Sequence, residues 1–379
     1  MQKEKNLKVA LVHDYLNQYG GGERVLEALY EMFPEATVYT SIYDRELMEP
    51  WLKIPPEKIK TNFINRLPFH NYLSKHYFFL YPLAFRLQNV GEVDLVISTC
   101  SYASKFIRAP KGAVHICYLH TVPRFLWGYD TELSRYYKHW WDRFLAPLYA
   151  VVVPIIKYFL KRNDFAAAQK IDYLLVDSKE VQARVKKHYR RDSVVIYPPV
   201  DVERFQKSEL TSQKDKDYYI IISRLGGYKK VDLAVAAFNK LGKRLKIVGE
   251  GPQREYLKKI AAPNVELLGR LSDPAVNELL INAKALVFPT FEDFGIVPVE
   301  AMAAGVPVIA YGKGGAAETV VDGKTGLFFA EQTSTAIIEA IKKFETLNLD
   351  PKDCIARARE FSKDKFQGKI EEFINREAF

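Results

Sequence analysis

Cysteine is scarce: Cys100, Cys117 and Cys354 are the only three in 379 residues, with no Cys-x-x-Cys pair and no zinc-finger spacing. That excludes a disulfide scaffold and a structural zinc site, and it fits a reducing compartment. Long apolar runs are also missing. The longest uncharged stretch, residues 144–156, is thirteen residues long and contains Pro147 and Pro154, short of the roughly 20 needed to span a bilayer. No transmembrane helix is expected. The amino terminus has one short apolar run and no small-residue cleavage site, so it reads as a first strand and not as an export signal. There is no low-complexity tract and no repeat at a period of 20–50 residues, which excludes solenoids and propellers. Acidic residues are outnumbered, 46 against 55 basic, for a net charge of +9. Residues 1–210 hold a surplus of +7 and the remainder +2. Such a surplus suits an anionic membrane, a phosphorylated substrate, nucleic acid or a merely solvated surface.

What is present is alternation. An apolar strand at residues 9–12 leads through His13 and Asp14 to Gly20-Gly21-Gly22-Glu23 and a helix over 23–32. Further strands are predicted at 36–40, 95–98, 114–119, 173–177 and 194–197. Pro198-Pro199 and the polar stretch 207–217 interrupt the pattern, which resumes with strands at 218–223, 245–248, 265–268, 285–288, 307–310 and 327–329. Helices are predicted between them at 231–241 and 253–261. Strands alternating with helices imply parallel sheets. The fold class is therefore α/β with two Rossmann-like doubly wound domains, 1–198 and 199–362, facing a central cleft, and a last helix over 363–379 that completes the first.

The strongest chemical signal is the stretch from Phe288 to Pro307. A strand ends near Phe288, a loop carries Glu292, and Pro298 suits the first turn of a helix that holds Glu300. The amides of Phe294, Gly295 and Ile296 then lie where a helix dipole favours phosphate. A carboxylate before the turn accepts bonds from sugar hydroxyls, and one inside it accepts bonds from ribose hydroxyls. Taken singly, Glu292 reads as a loop charge and Glu300 as a helix-start acid stabilised by the dipole. The Glu-x7-Glu spacing, with Phe-Gly inside and Ala-Gly-Val-Pro after, resembles the large retaining glycosyltransferase family of GT-B architecture, the fourth in the numbered classification.

The resemblance covers nearly the whole chain and implies roles for further residues. Arg224 and Lys229, in Ser223-Arg224-Leu-Gly-Gly-Tyr-Lys229-Lys230, would clasp the donor diphosphate. Lys230 stands where many members have glycine, so either lysine fits, with Lys229 preferred. Gly249 and Gly251 match a glycine turn near the nucleotide, and Arg270 a segment edging the base. Gly314-Gly315 and Glu318 match a structural turn and capped helix. Gly21 or Gly22 would touch phosphate. His120, at a strand end before Thr121, Arg124 and Trp127, would sit near the transferred sugar. His13, Asp14 and Arg124 are acceptor-side candidates, although a strand-end cap explains the first two almost as well. The nearest likenesses are bacterial mannosyltransferases of O-antigen, lipopolysaccharide and related polysaccharide assembly.

The resemblance thus implies a retaining, metal-independent hexosyltransferase, with no cofactor and no metal. A nucleotide-diphosphate sugar, GDP-mannose favoured, would be the donor, and a saccharide or lipid-linked saccharide the acceptor. An epimerase or phosphorylase of the same fold is the enzymatic alternative, and a polysaccharide- or lipid-binding protein the non-enzymatic one. No nucleic-acid recognition motif is present. Aromatic and basic residues mix in 63–88, with Arg66, Lys75 and Arg86, and again in 140–162. That pattern fits core helices, or peripheral contact with an anionic membrane at the inner face of the cytoplasmic membrane of a cytoplasmic protein.

Overall fold

The computed structural model describes residues 7–73, 77–129, 142–205 and 216–378. The chain divides into two compact units, Met1–Pro199 with Gln367–Phe379, and Val200–Phe366.

In the first unit, β1 (Val9–His13) is buried along its whole length, as a strand covered on both faces requires. It is followed by α1 (Gly21–Met32), β2 (Thr37–Thr40), β3 (Ile59–Thr61), β4 (Leu95–Cys100), β5 (Val114–Leu119), α2 (Asp142–Ala168), β6 (Tyr173–Val176), α3 (Lys179–Tyr189) and β7 (Val194–Val195). The seven strands pair in parallel in the order β3-β2-β1-β4-β5-β6-β7. The order reverses between β1 and β4, so a crevice opens beyond their carboxyl ends, where doubly wound sheets take ligands. Buried clusters around Val12, Phe85 and Val96 and around Cys117, Leu119 and Val185 form its core.

Two features depart from the sequence pattern. β3 has no apolar run: it is a three-residue, largely exposed edge strand with Lys60 at its centre, held in the sheet by pairing with β2. Pro147 and Pro154 do not end α2, which runs through both; each proline forfeits one backbone donor, a loss that a 27-residue helix can carry.

The second unit includes β8 (Tyr218–Ile222), α4 (Val231–Leu241), β9 (Arg244–Val248), α5 (Arg254–Ile260), β10 (Val265–Gly269), β11 (Leu286–Phe288), α6 (Ile296–Ala303), β12 (Val308–Tyr311) and β13 (Gly326–Phe329). Its sheet is again parallel, in the order β10-β9-β8-β11-β12-β13, with the reversal between β8 and β11. The closing helix α7 (Lys363–Phe373) starts in this unit and returns to the first. There Gln367 Nε2 donates to the Ala28 carbonyl at 3.0 Å, and the Phe373 ring meets Tyr173 at 5.4 Å.

Candidate active site

The second unit places its chemistry at the β8/β11 switch point. Arg224 follows β8 and is exposed. Lys229 lies in a single 3-10 turn, Gly227–Lys229, and its ammonium is ion-paired with Glu292, carried by the loop after β11. The two strand ends are tied a second time, since the Thr290 hydroxyl donates to the Lys229 carbonyl at 3.0 Å. The pair is about four-fifths or more buried on both sides, where a charge-assisted contact is stronger than at the surface. Lys230 is in the left-handed region, φ 55°, which favours glycine. Of the two lysines it is Lys229 that faces Glu292, while Lys230 occupies a turn position whose requirement is conformational.

Glu300 is the fifth residue of α6 and is buried. Arg204 Nη2 lies 3.1 Å from its Oε1 and Nη1 lies 3.7 Å from Asp273 Oδ2. Both glutamates of the motif are thus already faced by a cation. Arg204 had no signal in the sequence: it stands alone beyond Pro198-Pro199 and meets Glu300 only through the fold. Its Nε is buried without a hydrogen-bond partner among the described residues.

The loop holding Glu292 is positioned by main chain. Gly315 N donates to the Glu292 carbonyl at 2.9 Å. A β-carbon at Gly314 would stand 2.4 Å from that carbonyl oxygen, and one at Gly315 2.0 Å from the Phe294 carbonyl oxygen. Only glycines permit this approach. Gly295, φ 84°, caps α6 without a side chain, so the amides of Ile296 and Val297 open the helix while Pro298 has none to offer. The Phe294 side chain is core, 5.7 Å from the Phe361 ring. Gly249 and Gly251 do for Arg224 what the 314–315 pair does for Glu292. Their β-carbons would fall 1.9 Å from the Ser223 carbonyl oxygen and 2.4 Å from that of Leu225. Arg270 is exposed just beyond β10.

The first unit gathers residues at the β1/β4 switch point and the end of β5. His13 Nδ1 is 2.6 Å from Thr99 Oγ1, and its Nε2 is 3.5 Å from Glu23 at the buried start of α1. Asp14 accepts four backbone hydrogen bonds, from Ser101, Tyr102, Ala103 and Ser104, at 2.6–2.8 Å. A carboxylate so saturated caps the turn after β4; of the two readings of Asp14, the cap is the one its geometry serves. His120 lies over Gly22, whose β-carbon would be 3.4 Å from Nε2. That nitrogen is buried and has no hydrogen-bond partner among the described residues. Burial, reinforced by His13, pushes its pKa down to about 4, so at neutral pH the ring is uncharged. Glu23 therefore joins His13, Gly22 and His120 in one cluster; the Gly-Gly-Glu spelling was the signal that pointed to it. Arg124 opens the short turn Arg124–Trp127 and is half-buried.

Among the described residues no group of three or more His, Cys, Asp or Glu is placed to hold a metal. The chain has one Asp-x-Asp, Asp215-Lys216-Asp217. Asp215 lies outside the described residues, and Asp217 is exposed and paired with Arg244.

Two doubly wound parallel units, each with polar side chains and glycine loops at its switch point, define a nucleotide-using transferase architecture of the GT-B type. A family model described as Glyco_transf_4, Glycosyltransferase Family 4, matches residues 19–204, and one described as Glycosyl transferases group 1 matches residues 202–361. The chain belongs to these glycosyltransferases. An α-1,3/1,6-mannosyltransferase of Dictyostelium discoideum is 25% identical, over 97% of this chain and 97% of its own. Its counterpart in Schizosaccharomyces pombe is 26% identical over 86% of this chain and 71% of its own. Of solved structures, a sucrose-phosphate synthase from Thermosynechococcus elongatus superposes with a TM-score of 0.73, 16% identity and 98% of each chain covered. Anabaena HepE in complex with UDP gives 0.67, 17% identity, 97% of this chain and 100% of that one. At such identities these likenesses speak for the fold.

Proposed function

We propose that the chain transfers a mannosyl unit, with retention and without a metal, from a nucleotide-diphosphate sugar to a lipid-linked saccharide at an anionic membrane. GDP-mannose is the favoured donor. The mannosyltransferase relatives support the sugar; the solved neighbours holding UDP or UDP-glucose support a nucleotide-sugar donor.

The observation that carries the reading is the pairing of Lys229 with Glu292 across the switch point. When a donor enters, its diphosphate competes with Glu292 for Lys229. The ammonium moves to the phosphates alongside Arg224 and the first amides of α6, and Glu292 is released to accept bonds from sugar hydroxyls. The leaving diphosphate is then neutralised by the side chains that received it, and its departing oxygen takes the acceptor proton on the same face. His120, neutral and with Nε2 unpartnered among the described residues, donates to or accepts from a hydroxyl of the transferred sugar.

The test is a panel of nucleotide sugars scored for thermal stabilisation and for slow hydrolysis, with and without a chelator. GDP-mannose is expected to score in both, unaffected by EDTA. Glu292→Gln should lower turnover by on the order of 10²-fold while binding GDP at least as well as the parent, since Lys229 loses its internal competitor. Full transfer activity in that variant would remove Glu292 from the site.

A further inference from the structure

Helix α2 has two opposed faces. Leu160, Asp164, Ala167 and Ala168 are buried, the i, i+4, i+7, i+8 stripe of a helix laid on a core. The outward face should be polar. Instead it presents Ile155, Tyr158 and Phe159, at 53%, 55% and 60% exposure, ending in exposed Arg162. These positions follow i, i+3, i+4, i+7, so Ile155, Tyr158 and Phe159 form a second apolar stripe, exposed among the described residues. All charge in residues 154–163 is positive: Lys157, Lys161 and Arg162. The next carboxylate, Asp164, is turned inward, 2.7 Å from buried Lys105.

The basic residues are arranged around the aromatic ones. Arg162 Nη1 donates to the Tyr158 hydroxyl at 3.1 Å, and Lys161 Nζ stands 5.4 Å from the Trp127 ring centroid. Exposed rings flanked by cations are the combination that a lipid headgroup layer takes up. A second exposed apolar rim adjoins the same turn. Phe125 packs on Phe78 at 5.7 Å and Phe78 on Phe79 at 5.8 Å; Phe79, Leu83 and Leu87 are about half exposed or more. Both patches therefore flank Arg124–Trp127, the turn after His120.

We propose that residues 155–162 of α2, with the rim at residues 79–87, dock into the headgroup layer of an anionic bilayer and set the acceptor side of the first unit against the lipid. The inference rests on the lipid-linked acceptor proposed above, and it names the surface that meets the lipid. A second copy of the chain is the poorer occupant, because a symmetric contact would bring three cations of one copy against three of the other. The tie to the site is Asp164. Its Oδ2 accepts from Trp127 Nε1 at 2.8 Å and from the Tyr189 hydroxyl at 2.7 Å, so the base of the docking helix and the turn after His120 share one buried carboxylate.

The test uses the full chain and vesicles of phosphatidylcholine with or without phosphatidylglycerol, at low salt, read by co-sedimentation. The parent is expected to bind the anionic vesicles. Ile155→Ser/Phe159→Ser and Lys157→Gln/Lys161→Gln/Arg162→Gln should each bind roughly tenfold more weakly, with GDP-mannose binding and slow hydrolysis unchanged in both. Equal vesicle binding by parent and variants overturns the proposal. So does a parent that ignores vesicles but forms a concentration-dependent dimer that Ile155→Ser/Phe159→Ser dissolves. Vesicle binding as expected, with no nucleotide sugar bound or hydrolysed by any form, would leave the docking surface standing and overturn the mannosyl-transfer reading.

Discussion

The guanidinium of Arg204 lies 3.1 Å from the carboxylate of Glu300, and the two are 17% and 10% exposed. Burying a carboxylate is costly unless a cation or hydrogen-bond donors face it, and Arg204 faces this one. Arg204 thus supplies a cation to the second motif glutamate, and the proposed nucleotide role of Glu300 can be probed through it. Arg204→Met should lower stability by about 1–3 kcal/mol in urea unfolding and weaken GDP binding by roughly tenfold, measured by calorimetry. Arg204→Lys should recover part of both. Unchanged GDP affinity in Arg204→Met would separate Glu300 from nucleotide binding.

The neighbouring lysines should behave in opposite ways. Lys229→Ala removes the partner of Glu292 and should lower turnover by on the order of 10²-fold. Lys230→Gly relieves a left-handed backbone, φ 55°, and should keep activity while raising stability by about 0.5–1 kcal/mol. Steady-state kinetics with thermal unfolding checks both; loss of activity in Lys230→Gly would transfer the phosphate role to that residue.

Glycine 315 and glycine 323 separate crowding from backbone preference. A β-carbon at Gly315 would stand 2.0 Å from the Phe294 carbonyl oxygen; at Gly323, φ 72°, it would meet nothing within 4 Å. Gly315→Ala is expected to cost at least about 2–3 kcal/mol and to abolish activity by displacing the loop that holds Glu292. Gly323→Ala should cost about 1 kcal/mol and leave activity intact.

His120 contributes a pH dependence whose sign follows from its burial. Its pKa falls to about 4 in the fold from an ordinary value near 6.5, so between those values the unfolded chain binds the extra proton. Stability therefore rises with pH from about 4 to about 6.5 and is lost on acidification through that window, by about 1.4 kcal/mol per pH unit for each such group. His115, also pushed down to about 4 by burial, adds a second. Urea unfolding of His120→Gln between pH 4 and 7 should show the parent slope reduced by one group's share. Turnover of the parent should show no titration from His120 between pH 6 and 8.

Much of the fold was legible because parallel strands must be covered on both faces and therefore read as apolar runs, as at β1 and β4. β3 was not, since an edge strand needs only backbone pairing and its side chains stay in water. Glu292, Glu300, Arg224 and Lys229 could be picked out because their chemistry is spelled in short motifs. Arg204 could not: its role comes from meeting Glu300 in space, and a lone arginine in a polar stretch carries no mark of that. The glycines were legible as turns, but what they do became visible only with the partner backbone in place. Gly249 and Gly251 read as a glycine turn near the nucleotide, and the structure adds that they make room for the loop that carries Arg224.

Main-chain contact at Gly314 and Gly315 also bears on redesign. The path of the loop before α6 is set by carbonyls and amides together with the Thr290 hydroxyl and the buried Phe294 ring, which leaves the half-buried Phe291 as the side chain to vary first. A library at that position, screened against several nucleotide sugars, is where directed evolution of donor choice would begin.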